Sequence, residues 1–513
     1  MLTQILLSAV TGALLILTFP KFDVEVLAWV ALVPLLWAIR NQPPVRAALL
    51  GWVSGFVFFT GLIPWIINVL HHYGHLPAPV SIAILLLMTA YLALFFSSFA
   101  FLLRLVVIRA GVPEVLLAPV LWVSLEFARG ILLSGFPWEL LGYSQFQTLP
   151  MVQIADITGV YGVSFVIVFV NVAVYRVIEA FGKGNVKPAM AEALAAAVLL
   201  IGTAAYGYLR LDEIKPEPKA GTPVRIAVLQ GNIPQDMKWE QEFQDQTMRI
   251  YADLTVRAGL IPPDLIVWPE TATPFFFQDT FTYRNRILDL ASDLKVFLLF
   301  GSPAYDRKGR ENVYYNSAFL VSPGKEIVGR YDKIHLVPFG EYAPLSGILS
   351  FTRDIIGSMG DFQYGEGVKN LSIPRGKFGV LICYEVIFPG LTRKFVNEGA
   401  RFLVNITNDA WFGRSAAPYQ HLSMARLRAI ENRVPIARSA NTGISGFIDA
   451  AGRLRQSSDI FTKAILLDTL YLNHYFSFYT RFGDVFAYAC IVSMHIFFII
   501  GFWKRKNRVE RDR

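Results

Sequence analysis

Cysteine is nearly absent from this chain: only Cys383 and Cys490 occur among its 513 residues. That excludes a disulfide scaffold. Cys490 falls inside an apolar run, so a bridge to Cys383 would have to join a membrane helix to a soluble core, and both are read as free thiols. Charge is also scarce. Charged residues make up 17% of the chain against 54% hydrophobic and 14% aromatic, with a mean hydropathy of +0.45. This is a membrane-protein composition and excludes a wholly soluble one. There is no internal repeat or low-complexity tract of note. The N-terminal Met1-Leu2-Thr3-Gln4-Ile5-Leu6-Leu7 lacks a basic region, so the first apolar run is read as a retained membrane helix rather than a cleaved signal peptide.

What charge there is lies unevenly. The stretch from Arg210 to Asp484 has the composition of a soluble α/β protein, while its flanks are almost uncharged. The net charge of +8 collects in short loops and in the tail Lys504-Arg505-Lys506-Asn507-Arg508. It therefore points to membrane topology rather than to nucleic acid, for which no motif is present.

Apolar runs long enough to span a bilayer, roughly 20 residues with tilt allowed, lie near Leu2 to Phe19, Val26 to Ile39, Ala47 to Leu70, Val80 to Val107, Glu114 to Ala128, Val160 to Ala180, Met190 to Leu209 and Val485 to Trp503. This predicts a polytopic bundle of about eight helices, seven in residues 1–209 and the last, with a basic cytoplasmic tail, in 485–513. With a cytoplasmic N-terminus, Arg40, Arg46, Arg104, Arg109, Arg176, Lys183, Lys187 and the tail fall on the inner side, and little beyond Lys21 and Arg129 on the other. The positive-inside rule is then obeyed, and residues 210–484 lie outside, in the periplasm. Glu126, near one end of its run, is read as a group at headgroup level. The loop His71-His72-Tyr73-Gly74-His75 lacks a carboxylate or cysteine cluster, so no metal is expected there.

From Val224 the period changes. Short apolar runs bounded by Gly, Pro, Asn or Asp appear at 224–230, 265–268, 296–301, 317–321, 380–383, 402–406 and 436–439, with helical patterns at 241–258, 283–294, 388–398 and 418–432. Strands alternating with helices and buried on both faces predict one layered α/β domain.

Three strand-end segments each deliver a reactive group: Glu270 in Trp268-Pro269-Glu270-Thr271, Lys333 in Tyr331-Asp332-Lys333-Ile334-His335, and Cys383 in Leu381-Ile382-Cys383-Tyr384-Glu385. Pro389 and the polar run behind it predict a helix whose positive end would favour a Cys383 thiolate. Acyl transfer by a thiol needs a base, a cation or donor for the oxyanion, and the sulfur. A carboxylate, an ammonium and a thiol supply these without histidine. Alternatively, Cys383 is a small buried hydrophobe and Glu270 with Lys333 an ion pair that serves folding alone. A buried Glu-Lys pair is poor evidence of stability, which favours chemistry for these three. For His335, His421, and the i, i+3 pair Arg428 and Glu431, packing roles are expected.

These segments, together with Asn405-Ile406-Thr407-Asn408-Asp409-Ala410-Trp411-Phe412-Gly413 and Asn441-Thr442-Gly443-Ile444-Ser445, resemble the nitrilase (carbon-nitrogen hydrolase) superfamily. With the flanking membrane runs and the stretch from Trp411 through Gln420-His421 to Arg433, the whole length resembles the membrane-embedded apolipoprotein N-acyltransferase branch of the bacterial inner membrane. The resemblance implies an αββα sandwich with a Glu-Lys-Cys triad. Glu270 would be the general base, Lys333 would stabilise the oxyanion and depress the thiol's pKa, and Cys383 would form the thioester. Glu341, Tyr384 and Glu385 match supporting residues, and Trp239 resembles a tryptophan linked to substrate binding. The implied reaction takes an acyl chain from a membrane phospholipid, phosphatidylethanolamine, to the N-terminal amine of a diacylated apolipoprotein. No cofactor or metal is implied.

A long connection after Glu341 carries Leu345, Ile348, Leu349, Phe351, Ile355, Ile356 and Met359, and Pro274-Phe275-Phe276-Phe277 follows Glu270. Apolar loops on a soluble domain need a cover, so both are expected to meet the bilayer, the first as a lid over the lipid entrance. The alternatives are a membrane-tethered amidase or nitrilase acting on a small amide, and a transporter or lipid-binding scaffold with an inactive nitrilase-like domain.

Overall fold

The computed structural model describes residues 1–184, 186–215, 221–235, 238, 240–338, 340–342, 362–472 and 476–511. The chain forms two compact units, one of Met1–Ile67, Ala78–Glu213 and Phe482–Arg513, the other of Asn68–Pro77 and Ile214–Arg481.

The first unit is helical. Its main helices are α1 (Leu2–Leu17), α2 (Val33–Ile39), α3 (Pro44–Leu62), α4 (Ala78–Ala110), α5 (Glu114–Ile131), α6 (Val160–Lys183), α7 (Lys187–Glu213) and a last helix, Val485–Arg511. Five of these, α3 to α7, are long and apolar enough to cross a membrane, and Leu2–Leu17, Glu25–Ile39 and Val485–Gly501 are shorter apolar helical segments. The second is broken: a 3₁₀ turn, Glu25–Trp29, precedes α2, and Pro34 sits in the first turn of α2, where a missing N–H costs least.

Helix α7 shows why this unit belongs in lipid. It exposes Leu194, Val198, Ile201, Tyr208 and Leu209 and buries only Ala189, Ala196, Thr203 and Gly207. Large apolar groups outward and small ones inward is the packing that a bilayer permits and water penalises. A side chain at Gly207 would collide with the Pro150 carbonyl, so α7 can approach only through glycine there. Glu126 does not lie at an exposed end of its run. It is buried, and its Oε1 accepts the Leu141 N–H at 2.7 Å, satisfying backbone in an irregular segment between helices where the apolar surroundings offer few other acceptors.

The second unit holds two six-stranded sheets. The first contains β1 (Thr222–Gln230), β2 (Leu265–Val267), β3 (Phe297–Lys308), β4 (Glu311–Val321), β5 (Ile327–Asp332) and, from the end of the unit, a further strand Ala464–Leu472; the second contains β6 (Leu371–Ile373), β7 (Gly376–Ile382), β8 (Phe402–Thr407), β9 (Ile436–Ala440), β10 (Gly446–Ile448) and β11 (Leu454–Ser457). With Ala464–Leu472 as β12, the orders are β12-β1-β2-β3-β4-β5 and β11-β10-β9-β8-β7-β6. The centres are parallel, β1-β2-β3 and β7-β8-β9, and the edges antiparallel.

Helices α8 (Gln241–Ala258) and α9 (Phe281–Leu294) cover the first sheet, and α10 (Pro389–Asn397) and α11 (Ala417–Asn432) connect strands of the second. Ser439 Oγ on β9 donates to Leu229 O at 2.8 Å and lies 3.3 Å from Val267 O, which sets the two sheets face to face. Beneath α8, Trp268 stacks on Tyr251 at 4.9 Å and donates its indole N–H to Thr255 Oγ1 at 2.9 Å, so its one polar atom is satisfied within the core. From the other side of the chain, Tyr73 stands edge-on to Trp411 at 5.1 Å and donates to Ala410 O at 3.1 Å.

Candidate active site

Glu270, Lys333 and Cys383 each follow a strand, β2, β5 and β7 respectively. Glu270 is carried by a tight loop in which Thr271 has φ +45°. That loop lies against β3 at Gly301, whose N–H donates to Pro269 O at 3.1 Å. A side chain at Gly301 would run into the Glu270 and Thr271 backbone, so glycine is what lets the loop come so close. Lys333 is anchored by its own N–H, which donates to Asn316 O at 2.9 Å. Its ammonium, only 1% exposed, lies 2.8 Å from Glu341 Oε2 and 3.6 Å from Glu270 Oε1. Cys383 opens a 3₁₀ turn, Cys383–Ile387, with φ +52°. A left-handed non-glycine residue costs about 1–2 kcal/mol, so the surroundings must hold this elbow in place.

Glu385 does part of that work. Its Oε2 accepts the Ile382 N–H at 2.8 Å, while Oε1 accepts the Tyr331 hydroxyl at 2.8 Å, Ile334 N–H at 2.8 Å and His335 N–H at 3.1 Å. One carboxylate thus staples the turn that bears Cys383 to the turn that bears Lys333. Glu341 is held by the Val337 N–H at 2.8 Å. Tyr384 flanks the site beside His335 and Phe388, whose ring centroids lie 5.9 and 5.1 Å from its own. Trp239 and the segment Leu345 to Met359 lie outside the described residues.

The electrostatics depart from the expectation for the thiol. Burial pushes the Cys383 thiol above its ordinary range, and the Glu270 carboxylate adds to the rise while Lys333 opposes it. Helix α10 begins only at Pro389, behind the 3₁₀ turn, and a helix terminus offers only about 0.3–1 kcal/mol, which does not offset the burial. Burial thus favours the neutral thiol over the thiolate at Cys383. Burial pulls Lys333 down, but the Glu341 and Glu270 carboxylates outweigh it, so the ammonium stays charged. Burial raises the Glu385 carboxyl to about 7, against the pull of its hydrogen-bond donors and Lys333. His335 is lowered to about 4 by burial and by Lys333.

Residues 11–173 match the model described as apolipoprotein N-acyltransferase N-terminal domain, and residues 225–474 the model described as carbon-nitrogen hydrolase. The apolipoprotein N-acyltransferase of Geobacter metallireducens is 45% identical over 98% of this chain and 96% of its own. The chain belongs to the apolipoprotein N-acyltransferase family. The apolipoprotein N-acyltransferase of Nitrosomonas europaea is 34% identical over 90% of this chain and 89% of its own. Among solved structures, an amidase from Nesterenkonia sp. gives a TM-score of 0.38 at 19% identity, covering 50% of this chain and 92% of that one. Membership of the apolipoprotein N-acyltransferase family favours an acyltransferase over the amidase alternative.

Several residues of this family member reach the site without having been singled out from the sequence. Asn316 on β4 donates from Nδ2 to Glu270 Oε1 at 2.8 Å and Glu341 Oε1 at 2.7 Å, bridging two carboxylates. The Asn408 N–H donates to Glu270 Oε2 at 2.9 Å. Lys238, buried and lowered to about 8 by burial, donates to Thr271 Oγ1 at 2.6 Å and Glu270 O at 3.3 Å. The signal for Asn316 was present, an amide standing directly before the run Ser317-Ala318-Phe319-Leu320-Val321. Arg428 and Glu431 pair at 2.9 Å as an i, i+3 couple, fully buried rather than on a solvated face. Among the described residues no group of three or more His, Cys, Asp or Glu could hold a metal.

Proposed function

We propose that this protein transfers an acyl chain from a membrane phospholipid, phosphatidylethanolamine, through a Cys383 thioester to the α-amine of an S-diacylglyceryl cysteine at an apolipoprotein's N-terminus. Residues 1–209 and 485–513 would span the inner membrane, and 210–484 would stand in the periplasm. The observation that carries the reading is that Glu270, Lys333 and Cys383 come together from the ends of β2, β5 and β7 in a chain of this family. In the first half-reaction Glu270 takes the thiol proton as sulfur attacks the ester carbonyl. Lys333 faces the tetrahedral oxyanion. Collapse breaks the ester C–O bond, and the proton on Glu270 passes to the departing lysophospholipid oxygen. In the second half-reaction the neutral amine attacks the thioester, Glu270 takes the proton from the nitrogen, the C–S bond breaks, and that proton passes to the departing sulfur to return the Cys383 thiol and the Glu270 carboxylate.

Glu341 keeps Lys333 charged and in place, and Glu385 holds the two turns together. The family resemblance assigns Trp239 to substrate binding and Tyr384 to a supporting place beside the nucleophile. The test is mass spectrometry of purified protein incubated with phosphatidylethanolamine vesicles: an acyl adduct on the Cys383 peptide is expected, and it should disappear on adding a diacylated lipopeptide. Absence of an adduct in active enzyme would overturn the covalent route. Reporter fusions after Leu209 and after Trp503 test the topology, with periplasmic and cytoplasmic signals expected in that order.

A further inference from the structure

His421 on α11 plays no part in the chemistry above, yet it touches the nucleophile's backbone. Its Nε2 lies 3.2 Å from the carbonyl oxygen of Cys383. A carbonyl only accepts, so Nε2 must carry the proton for this to be a hydrogen bond. The other ring nitrogen makes that tautomer the consistent one. Nδ1 lies 3.0 Å from Arg438 Nη2, which also donates to Asp409 Oδ2 at 2.8 Å. Asp409 Oδ1, 3.1 Å from Nδ1, receives the Thr407 hydroxyl at 2.8 Å. Arg438 is fixed in turn by Asn405 Oδ1 and by Ile444 O at 3.1 Å. Burial and the Arg438 charge lower the pKa of His421, so the ring is neutral, with Nδ1 accepting and Nε2 donating. Every group named is buried.

The bond matters because of where it falls. In a trans peptide the C=O and the following N–H point in opposite directions. Holding the Cys383 carbonyl on the His421 side turns the Tyr384 N–H away from His421. In nucleophile elbows the N–H of the residue after the nucleophile is the usual second oxyanion donor. Cys383 sits at φ +52°, in a region that an L residue leaves readily unless it is held.

We propose that His421 is a positioning residue, one that locks the Cys383–Tyr384 peptide so that the Tyr384 N–H joins Lys333 in receiving the oxyanion. The assignment rests on the thioester reading above. Asp409 and Arg438 act through it by fixing the tautomer. Without a donor at 421 the peptide is released, and both half-reactions lose part of their oxyanion stabilisation, while the thiol and its base remain.

The test separates oxyanion chemistry from thiol reactivity. Alkylation by iodoacetamide is a displacement that forms no oxyanion, whereas thioester formation does. Both rates are read at the Cys383 peptide by mass spectrometry, in wild type, His421→Met and His421→Gln, with full-length protein in phospholipid vesicles. Met and Gln are close in size, and only Gln retains an N–H. The ratio of acylation to alkylation is expected to fall at least about tenfold in His421→Met, since loss of a whole oxyanion donor costs about 10²–10³, and to stay within about threefold of wild type in His421→Gln. An unchanged ratio in both variants, or an equal fall in both, would overturn the proposal. Because the comparison is a ratio, a general loss of folded protein does not imitate the expected result. If wild type itself gives no acyl adduct, the thioester reading fails; if wild type gives one and the two variants keep its ratio, only the role of His421 fails.

Discussion

Lys333 Nζ lies 2.8 Å from Glu341 Oε2, nearer than the 3.6 Å that separates it from Glu270 Oε1. Glu341 is thus the closer counter-ion, and Glu270 is left with an oxygen pair engaged mainly by neutral donors, Asn316 and Asn408. A base tied in a tight ion pair would be a poor proton acceptor, so on the proposed mechanism the two carboxylates divide the work. Glu341→Gln removes the nearer charge and lets the ammonium settle on Glu270. Thioester formation should slow by about 10- to 100-fold, short of the loss of a complete oxyanion donor. A rate equal to wild type in the adduct assay would remove Glu341 from the site.

The thiol's environment makes a prediction whose sign differs between neighbours. Burial and Glu270 raise the Cys383 pKa, and Lys333 lowers it. At neutral pH the thiolate is a small fraction, which grows about tenfold per pH unit until the pKa is reached. Iodoacetamide labelling of Cys383 should therefore keep rising from pH 7 to 9 with no plateau. Lys333→Met removes a cation and should slow labelling throughout that window. Glu270→Gln removes an anion and should not slow it, although it should slow thioester formation by about 10²–10⁴ for want of the base. A plateau below pH 8 would mean that the resting group is a thiolate.

Asn316 bridges Glu270 and Glu341 with one amide. Asn316→Asp would place a third carboxylate within hydrogen-bond distance of two others. Like charges raise one another's pKa, so the acid limb of the activity profile should move to higher pH, by about one unit or more for groups this close. Asn316→Leu removes the donor without adding charge and should lower the rate with a smaller shift of the limb. If the two variants gave the same profile, charge at this position would not matter and the bridge would be structural.

How much of this was open to reading from the sequence follows from burial. The central strands, β1 to β3 and β7 to β9, announce themselves because both faces are covered and the residues run apolar. In β5 only Tyr331 is buried and Arg330 and Asp332 interrupt it, and β11 is mostly polar, so neither holds a sustained apolar run, and β6 and β10 span only three residues each. Glu270 and Cys383 could be singled out because each follows an apolar run, whereas Lys333 follows Arg330-Tyr331-Asp332 and was singled out by the segment around it. The thiol's protonation was not, since a helix dipole can be inferred from a sequence but complete desolvation cannot. Asp409, His421 and Arg438 are scattered over thirty residues of chain, and only the fold brings them together beneath Cys383.

That buried cluster should leave its mark on stability as well. Asp409 would be raised by burial, but the Arg438 charge, with the Thr407 hydroxyl, outweighs it and holds the carboxyl at about 2. The folded pKa lies below the ordinary value of 3.8, so the stabilisation is complete above pH 4 and is lost as pH falls through about 2. A shift of this size corresponds to about 2 kcal/mol. Asp409→Asn cannot titrate, and at neutral pH it leaves the fully buried Arg438 without its carboxylate, a loss of about 3–5 kcal/mol when one partner of a buried pair is removed. Wild type should thus unfold at clearly higher temperature than Asp409→Asn at pH 7 in detergent micelles, and the gap should narrow between pH 4 and pH 2. Gly443→Ala is a second probe, because a side chain there collides with the Asp409 carboxylate; it should lower the melting temperature and slow thioester formation together. A gap that stayed constant down to pH 2 would show that Asp409 does not carry the charge that anchors Arg438, and with it the tautomer of His421.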